Sequence, residues 1–159
     1  MRTNTNERIV ARWLLATFVA AGAAGCSGSS LEPASLDTRN DQCRNCRMAV
    51  SDRHFAAQIV APGEEPLFFD DIGCLREFAA ERSNLAAGAV AFVADHRTAE
   101  WVDAARALYT ENHAVSTPMN SGLMAHRDSQ SRNQDPAARG GQPVSAGDIL
   151  GMLAVAPER

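Results

Sequence analysis

The sequence predicts an α+β fold, preceded by a cleaved signal peptide and a flexible tether. Short apolar runs are separated by Pro and Gly, one run has helical spacing, and an apolar N-terminal segment precedes a polar stretch. Short strands mixed with short helices are typical of the α+β class. A chain of 159 residues is long enough for one domain with a buried core.

The N-terminus has the features of an export signal. Three arginines within residues 1–12 precede an apolar run at residues 13–24. This run is shorter than the roughly 20 residues that a membrane-spanning helix needs, and it ends in small residues, as signal peptides do. The sequence AAGC at residues 23–26 resembles a lipobox, which predicts cleavage before Cys26 and lipidation of that cysteine. An ordinary secretory signal is the alternative.

Processing at this point divides the chain into three parts. Residues 1–25 are the signal peptide, residues 26–42 are a polar, flexible, lipid-anchored linker, and residues 43–159 are the folded domain. We therefore expect the protein at the periplasmic face of a bacterial membrane. Without residues 1–25, which contain three Arg and one Glu, 12 basic and 18 acidic side chains remain, a net charge of −6. This charge argues against nucleic-acid binding.

The first half of the domain predicts a strand-strand-helix-strand unit. Apolar runs at residues 55–61 and 67–69 suit a hairpin. The paired aspartates at residues 70–71 can cap a helix that continues to about residue 82, where apolar residues recur at helical spacing. Residues 89–94 predict a buried strand.

The second half shows a looser version of the same pattern. Residues 101–109 mix strand and helix signals, and residues 124–126 and 143–145 suit short strands. Residues 147–153 predict a terminal helix. The polar residues 127–142 predict a surface loop. Short strands and helices again alternate, which favours the α+β class.

Two cysteines and a methionine form the most informative cluster. If Cys26 carries a lipid, an odd number of cysteines remains, and Cys43 and Cys46 are separated by only two residues, with Met48 close behind. Two thiols and a thioether are soft donors that suit Cu(I). A zinc site would require four ligands. A structural disulfide and a redox-active dithiol are the alternatives in an oxidising compartment.

Three further residues are candidates on weaker grounds. Met119 lies in a loop rich in Pro and Gly, where a role in filling the core is less expected. Cys74 lies in the first turn of the predicted helix, either as a ligand or as a small buried residue. His54 is a candidate only because it is close to the cysteine pair in sequence.

Taken together in this order, the motifs resemble the NosL family of nitrous-oxide-reductase accessory lipoproteins. The motifs are the lipobox Cys26, Cys43-x-x-Cys46-x-Met48, FAAQ at residues 55–58, FDDIGC at 69–74, WVDA at 101–104, TPM with SG at 117–122, and GG at 140–141. They cover nearly the whole chain after the signal peptide. Two positions depart from the family pattern, because Arg47 and Asn120 stand where the family usually has Gly.

The resemblance implies a Cu(I) chaperone rather than an enzyme. Such a protein would deliver copper to nitrous oxide reductase, or to its membrane-associated assembly machinery, during maturation of the copper centres used in denitrification. The implied fold consists of two small strand-strand-helix-strand units. The expected metal ligands are Cys43, Cys46, Met48 and Met119, with Cys74 less certain. A thiol-disulfide redox protein and a lipoprotein with only a structural disulfide remain the alternatives.

Overall fold

The computed structural model describes residues 31–81 and 85–154, which form two small antiparallel sheets and short helices. The first sheet has the strand order β2-β1-β3-β4 and the second the order β6-β5-β7. The strands are β1 (Ala57–Val60), β2 (Leu67–Phe69), β3 (Val90–Ala94), β4 (Trp101–Asp103), β5 (Leu108–Glu111), β6 (Leu123–His126) and β7 (Gln142–Val144). The helices are α1 (Ile72–Glu81), α2 (Ser129–Gln134) and α3 (Ala146–Leu150), with a 3-10 turn at Gly151–Ala154 after α3. The predicted α+β class is confirmed.

The two sheets share one connectivity. In the first, β1 pairs with β2 and β3, and α1 connects β2 to β3. In the second, β5 pairs with β6 and β7, and α2 lies between β6 and β7 in sequence. Each unit therefore has its first strand in the centre and its helix in the connection to the third strand. The expectation of two strand-strand-helix-strand units is confirmed.

Helix α1 begins where the sequence predicts, directly after the paired aspartates. The backbone N–H of Gly73 donates to the Asp71 carboxylate at 2.6 Å, which satisfies one of the free donors of the first turn. Apolar residues recur at helical spacing, and Ile72, Leu75 and Phe78 are all buried. Phe78 also packs against Phe69 of β2, with ring centroids 5.2 Å apart.

One apolar core is common to both units. Leu75 of α1, Val93 of β3, Leu123 of β6 and Ile149 of α3 belong to the same buried cluster. Helix α3 packs directly on α1, so the end of the domain closes over the helix of the first unit. The side chains of the first unit are therefore held in place by residues from the second.

The segment before Cys43 is packed, which corrects part of the expectation of a flexible linker at residues 26–42. The fully buried amide of Gln58 on β1 accepts from the Ala34 N–H at 2.8 Å and donates to the Ala34 carbonyl oxygen at 3.2 Å. Leu36 is only 6% exposed and belongs to the core. These contacts are made with a distant strand, so the polar composition of the segment did not reveal them. The folded domain therefore begins before residue 43.

Residues 127–142 do not form the predicted surface loop. They contain α2, whose first turn is capped by the Asp128 carboxylate, and a 3-10 turn at Pro136–Ala138. The Ser131 hydroxyl is buried and donates to the Asp95 carboxylate at 2.9 Å. Polar side chains in this segment thus make buried contacts with the first unit, and their polarity alone was misleading.

The N-terminal predictions lie outside the described residues. The signal peptide at residues 1–25 and the lipidation site Cys26 both precede residue 31. Within residues 31–81 and 85–154, no helix combines the length and the apolar content that a membrane crossing requires.

Replacement of Gln58 by Leu should release the segment around Ala34. The substitution leaves the partly buried N–H and carbonyl group of Ala34 without these partners, so we expect the free energy of unfolding to fall by about 1–3 kcal/mol. Urea denaturation measures this, and amide hydrogen exchange at Ala34 should become faster. The exposed Gln130→Leu variant is the control, with a change below about 0.5 kcal/mol. Equal stability of the two variants would contradict the proposed role of Gln58.

Candidate metal centre

The predicted Cys-x-x-Cys motif lies in a closed turn that docks on β2. The Cys43 N–H donates to the Met48 carbonyl oxygen at 2.7 Å, and the Arg47 N–H donates to the Cys43 carbonyl oxygen at 2.9 Å. The Arg44 N–H donates to the carbonyl oxygen of Phe68 in β2 at 2.7 Å. The backbone therefore sets the separation of Cys43 and Cys46 without any contribution from a metal.

The start of α1 brings two further donors to this turn. Donor atoms of Cys43, Cys46, Asp70 and Cys74 all lie within 4.8 Å of one another. The sulfurs of Cys43, Cys46 and Cys74 are free thiols. Cys43, Cys74 and Asp70 are each at most 2% exposed, and Cys46 is half-buried. Three soft donors and one carboxylate in this arrangement could hold a metal ion.

Asp70 is the member of this cluster that the sequence analysis did not assign. Its position before α1 was interpreted as helix capping, and the capping contact is made by its neighbour Asp71 instead. The Cys46 thiol donates to the two Asp70 carboxylate oxygens at 3.4 and 3.5 Å. A carboxylate next to a Cys-x-x-Cys turn in the folded chain is not visible from local spacing, because 24 residues separate Cys46 from Asp70.

The three thiols have different proton affinities. A hydrogen bond from the Cys74 thiol, which outweighs the effect of burial, lowers the pKa of Cys43 to about 6. Burial, with the nearby negative charges of Cys43 and Asp70, raises the pKa of Cys46 to about 11. The hydrogen bond to Cys43, together with burial, also raises the pKa of Cys74. At neutral pH the cluster thus holds one thiolate, at Cys43, and two protonated thiols.

The loop with the predicted ligand Met119 is fastened to the same helix end. Asp71 is fully buried, and its Oδ2 accepts from the Thr117 hydroxyl at 2.6 Å and from the Met119 N–H at 2.9 Å. Its Oδ1 accepts from the Ser121 hydroxyl at 2.5 Å and from the Gly73 N–H. One carboxylate therefore connects the start of α1 to the β5–β6 loop. The Met119 backbone therefore lies against Asp71, which is the sequence neighbour of Asp70 in the cysteine cluster.

Both predicted methionine ligands expose a large part of their side chains. Met48 is 54% exposed and Met119 is 43% exposed, whereas Met124 on β6 is fully buried. Exposure sets Met48 and Met119 apart from a methionine that fills the core. Met124 is therefore a core residue, whereas the side chains of Met48 and Met119 are accessible from outside.

A comparison with models of known protein families shows to which family the chain belongs. The model of the NosL family matches residues 33–153. The chain belongs to the NosL family. NosL proteins are copper-associated accessory proteins, which agrees with the cysteine cluster. No curated protein matches the chain significantly.

The two residues that depart from the NosL pattern both have a left-handed backbone conformation. Arg47 has φ +66° and Asn120 has φ +58°, the left-handed region that glycine adopts at no steric cost. Asn is one of the few side chains that tolerate this region, whereas Arg at the same φ costs roughly 1–2 kcal/mol. Both positions therefore have a backbone conformation that glycine favours, and this chain has a less favourable residue there, most clearly at Arg47.

His54 is not part of the cysteine cluster. Its Nδ1 donates to the carbonyl oxygen of His96 at 2.7 Å, and the two imidazole rings are 6.1 Å apart. Proximity to Cys46 in sequence therefore did not translate into proximity to the thiols. His54 lies instead beside a second group of polar residues around His96.

Substitution Asp71→Asn should loosen the Met119 loop. Asn replaces one accepting oxygen by an NH2 group, which would face donors instead of accepting from them, so we expect a loss of about 2–4 kcal/mol in the free energy of unfolding. Faster hydrogen exchange at the Met119 amide should accompany this loss. Asp128→Asn is the matched control, because Asn caps a helix as well as Asp does. Equal effects of the two substitutions would contradict the role assigned to Asp71.

Proposed function

We propose that this protein carries Cu(I) outside the cytoplasm and delivers it for assembly of the copper centres of nitrous oxide reductase. The observation that carries the proposal is the convergence of Cys43, Cys46 and Cys74 on one point. Membership of the copper-associated NosL family supports the choice of metal. In this role copper is a cargo, and the protein is a carrier rather than an enzyme.

The thiol cluster suits a soft ion that must also leave again. Cu(I) accepts two or three sulfur ligands, so it does not need all donors of the cluster at once. The Cys43 thiolate is available at neutral pH, and Cys46 is only half-buried, which leaves one side of the cluster open. The exposed thioethers of Met48 and Met119 are further soft donors through which copper can pass to a partner.

The effect of removing the Asp70 carboxylate should distinguish a Cu(I) site from a site for zinc, the main competing metal. A carboxylate completes a set of four donors, which is what zinc prefers, whereas Cu(I) favours the sulfurs. Removal of the Asp70 charge also removes one of the influences that raise the pKa of Cys46. A site used for Cu(I) should therefore tolerate the loss of this carboxylate, and a zinc site should not.

The proposed location follows from the predicted lipid on Cys26. A lipid anchor would keep the cluster near the periplasmic face of a membrane, where a membrane-associated copper-handling partner can meet it. The partner would then be nitrous oxide reductase or its assembly machinery. Radiolabelled palmitate incorporation by the wild-type chain, and its absence in Cys26→Ser, would test the anchor independently of the metal.

The copper proposal is tested by anaerobic titration of the reduced full-length protein with Cu(I) against a competing chelator. We expect one tight equivalent in the wild type and a loss of at least about 100-fold in affinity in Cys43→Ser/Cys46→Ser, since even outer contacts contribute about 10–100-fold. Met119→Leu should weaken binding, whereas the buried Met124→Leu should not. Asp70→Asn should leave Cu(I) affinity unchanged or slightly higher. Absence of tight binding, or equal binding by the double Ser variant, would overturn the proposal.

The pH dependence of Cu(I) binding reports which thiols are ligands. Between pH 7 and 9, Cys43 is already ionised and Cys46 is protonated, because their pKa values are about 6 and about 11. Binding by these two sulfurs should release about one proton, so affinity should rise about tenfold per pH unit. Participation of Cys74, whose pKa is raised, should give about a hundredfold per unit. Chelator competition across this range measures the slope, and a slope of zero would contradict thiol coordination.

A thiol-disulfide exchange function is the alternative, and the low pKa of Cys43 is the observation that favours it. The sulfur that carries the charge is nevertheless in a residue only 2% exposed, so a bulky disulfide has poor access to it. Turnover of insulin disulfides by the metal-free protein, abolished in Cys43→Ser, would establish this alternative. No turnover together with tight Cu(I) binding would exclude it.

A further inference from the structure

A second cluster of metal-ligating side chains lies where the two units meet, away from the cysteine residues in sequence. His96 follows β3 of the first unit, His126 ends β6 of the second, and Asp135 follows α2. One ligating atom from each of the three residues lies within 4.8 Å of the others. The His96 N–H also donates to the Ala125 carbonyl oxygen at 2.8 Å, which fixes His96 beside β6.

Both imidazoles of this cluster point at a single carboxylate oxygen. Asp135 Oδ2 lies 2.5 Å from His96 Nδ1 and 2.9 Å from His126 Nε2. The other oxygen, Oδ1, accepts from the Ala137 N–H at 2.9 Å and is therefore engaged in the following 3-10 turn. Because the backbone holds Oδ1, the carboxylate cannot turn away, and Oδ2 stays directed at the two rings.

The burial of His126 is difficult to explain by packing alone. The ring is fully buried, and its Nδ1 has no hydrogen-bond partner among the described residues. An unpaired buried polar atom destabilises the fold, and an apolar ring at this position on β6 would avoid that cost. An unsatisfied buried group in a native protein calls for an explanation, and a bound ion is one of those that occur. In His126 the engaged atom is Nε2, on the side of Asp135.

Two imidazoles and a carboxylate form a donor set of intermediate softness. Imidazole suits Zn²⁺ and Cu²⁺, and a set of two histidines and one carboxylate leaves a fourth tetrahedral position for water or another ligand. The Asp135 carboxylate is ionised, because hydrogen bonds from His126 and His96 outweigh the effect of burial and lower its pKa. The His96 side chain is 16% exposed, so the cluster has a contact with solvent through which an ion can enter.

We propose that His96, His126 and Asp135 form a second metal site, which takes a divalent cation of the Zn²⁺ or Cu²⁺ class. The cation would replace the two protons now shared with Asp135 Oδ2 and bind His96 Nδ1, His126 Nε2 and that oxygen. Each displaced proton moves to the other nitrogen of the same ring, so the exchange releases no proton and the carboxylate stays ionised. Among the described residues, His126 Nδ1 has no partner in either tautomer, so the cost of leaving it unpaired is the same before and after the exchange.

This site differs from the cysteine cluster in the metals that it would select. The cysteine cluster offers sulfur and suits Cu(I), whereas the histidine site offers nitrogen and oxygen and suits divalent ions. The two sites would therefore bind different ions, and the histidine site would also tie the end of β3 to β6 and α2. Because His96 and His126 belong to different units, an ion bound between them should stabilise the contact between the units.

The test compares the number of Zn²⁺ ions retained by purified full-length protein and by histidine variants, measured by equilibrium dialysis. His96→Gln and His126→Phe should each lose about one equivalent relative to wild type. His113→Gln is the matched control, since the His113 side chain is 77% exposed and its Nε2 lies 3.9 Å from the Glu111 carboxylate. Its Zn²⁺ content should equal that of wild type. Cu(I) binding by all three variants should be unchanged, which keeps the outcome separate from that of the copper proposal.

Two measurements keep the test decisive even if His126→Phe does not fold. His96→Gln changes a partly exposed side chain, and thermal unfolding with and without Zn²⁺ should show a rise in Tm in the wild type that this variant lacks. Co²⁺ bound at the site should give weak absorption bands of nitrogen and oxygen ligation without intense thiolate charge-transfer bands. The proposal would be overturned by equal Zn²⁺ content in His96→Gln, His113→Gln and wild type. Co²⁺ spectra of thiolate ligation alone would overturn it as well. The three side chains would then form only a hydrogen-bonded contact between the units.

Discussion

The buried carboxylate of Asp71 is the contact on which the arrangement of the cysteine cluster depends. It accepts four hydrogen bonds, one from Gly73 at the start of α1 and three from Thr117, Met119 and Ser121 in the β5–β6 loop. A fully buried carboxylate is tolerated only when donors compensate its lost hydration. Because three of the donors come from the second unit, the charge of Asp71 is compensated only when both units are folded together. The position of Cys74, in the first turn of the same helix, therefore also depends on the folding of both units.

Gly73 shows how closely the loop approaches the helix. A Cβ added at this position would lie 2.7 Å from Cβ of Ser121 and 2.9 Å from Oδ1 of Asp71. A side chain there would push the loop away from the carboxylate that holds it. The glycine in the FDDIGC motif therefore allows the close contact between the units. The two aspartates before it have different roles. Asp71 holds the loop, and Asp70 faces the Cys46 thiol.

The sequence predicts correctly those elements whose formation depends on residues close together in the chain. The start of α1 and the strand at Val90–Ala94 follow from apolar spacing and turn residues, whereas the connectivity of two units was implied by the resemblance to the NosL family, and the structure contains all three. The predictions were wrong for segments whose packing depends on residues far away in the sequence. Polar composition suggested a linker before Cys43 and a loop at residues 127–142, yet Gln58 and Asp95 recruit these segments into the domain. Asp70 was missed for the same reason, because its role depends on a turn 24 residues earlier.

The contact between Gln58 and Ala34 limits how far the domain could stand from a membrane. If Cys26 carries a lipid, eight residue steps separate it from Ala34, the first position held to β1 by hydrogen bonds among the described residues. A fully extended chain covers about 3.3–3.6 Å per residue, so the leash between the bilayer surface and Ala34 is at most about 26–29 Å. The domain would then stay close to the bilayer surface. A soluble acceptor would have to approach the bilayer to receive copper, and the encounter would be a search across a surface rather than through a volume.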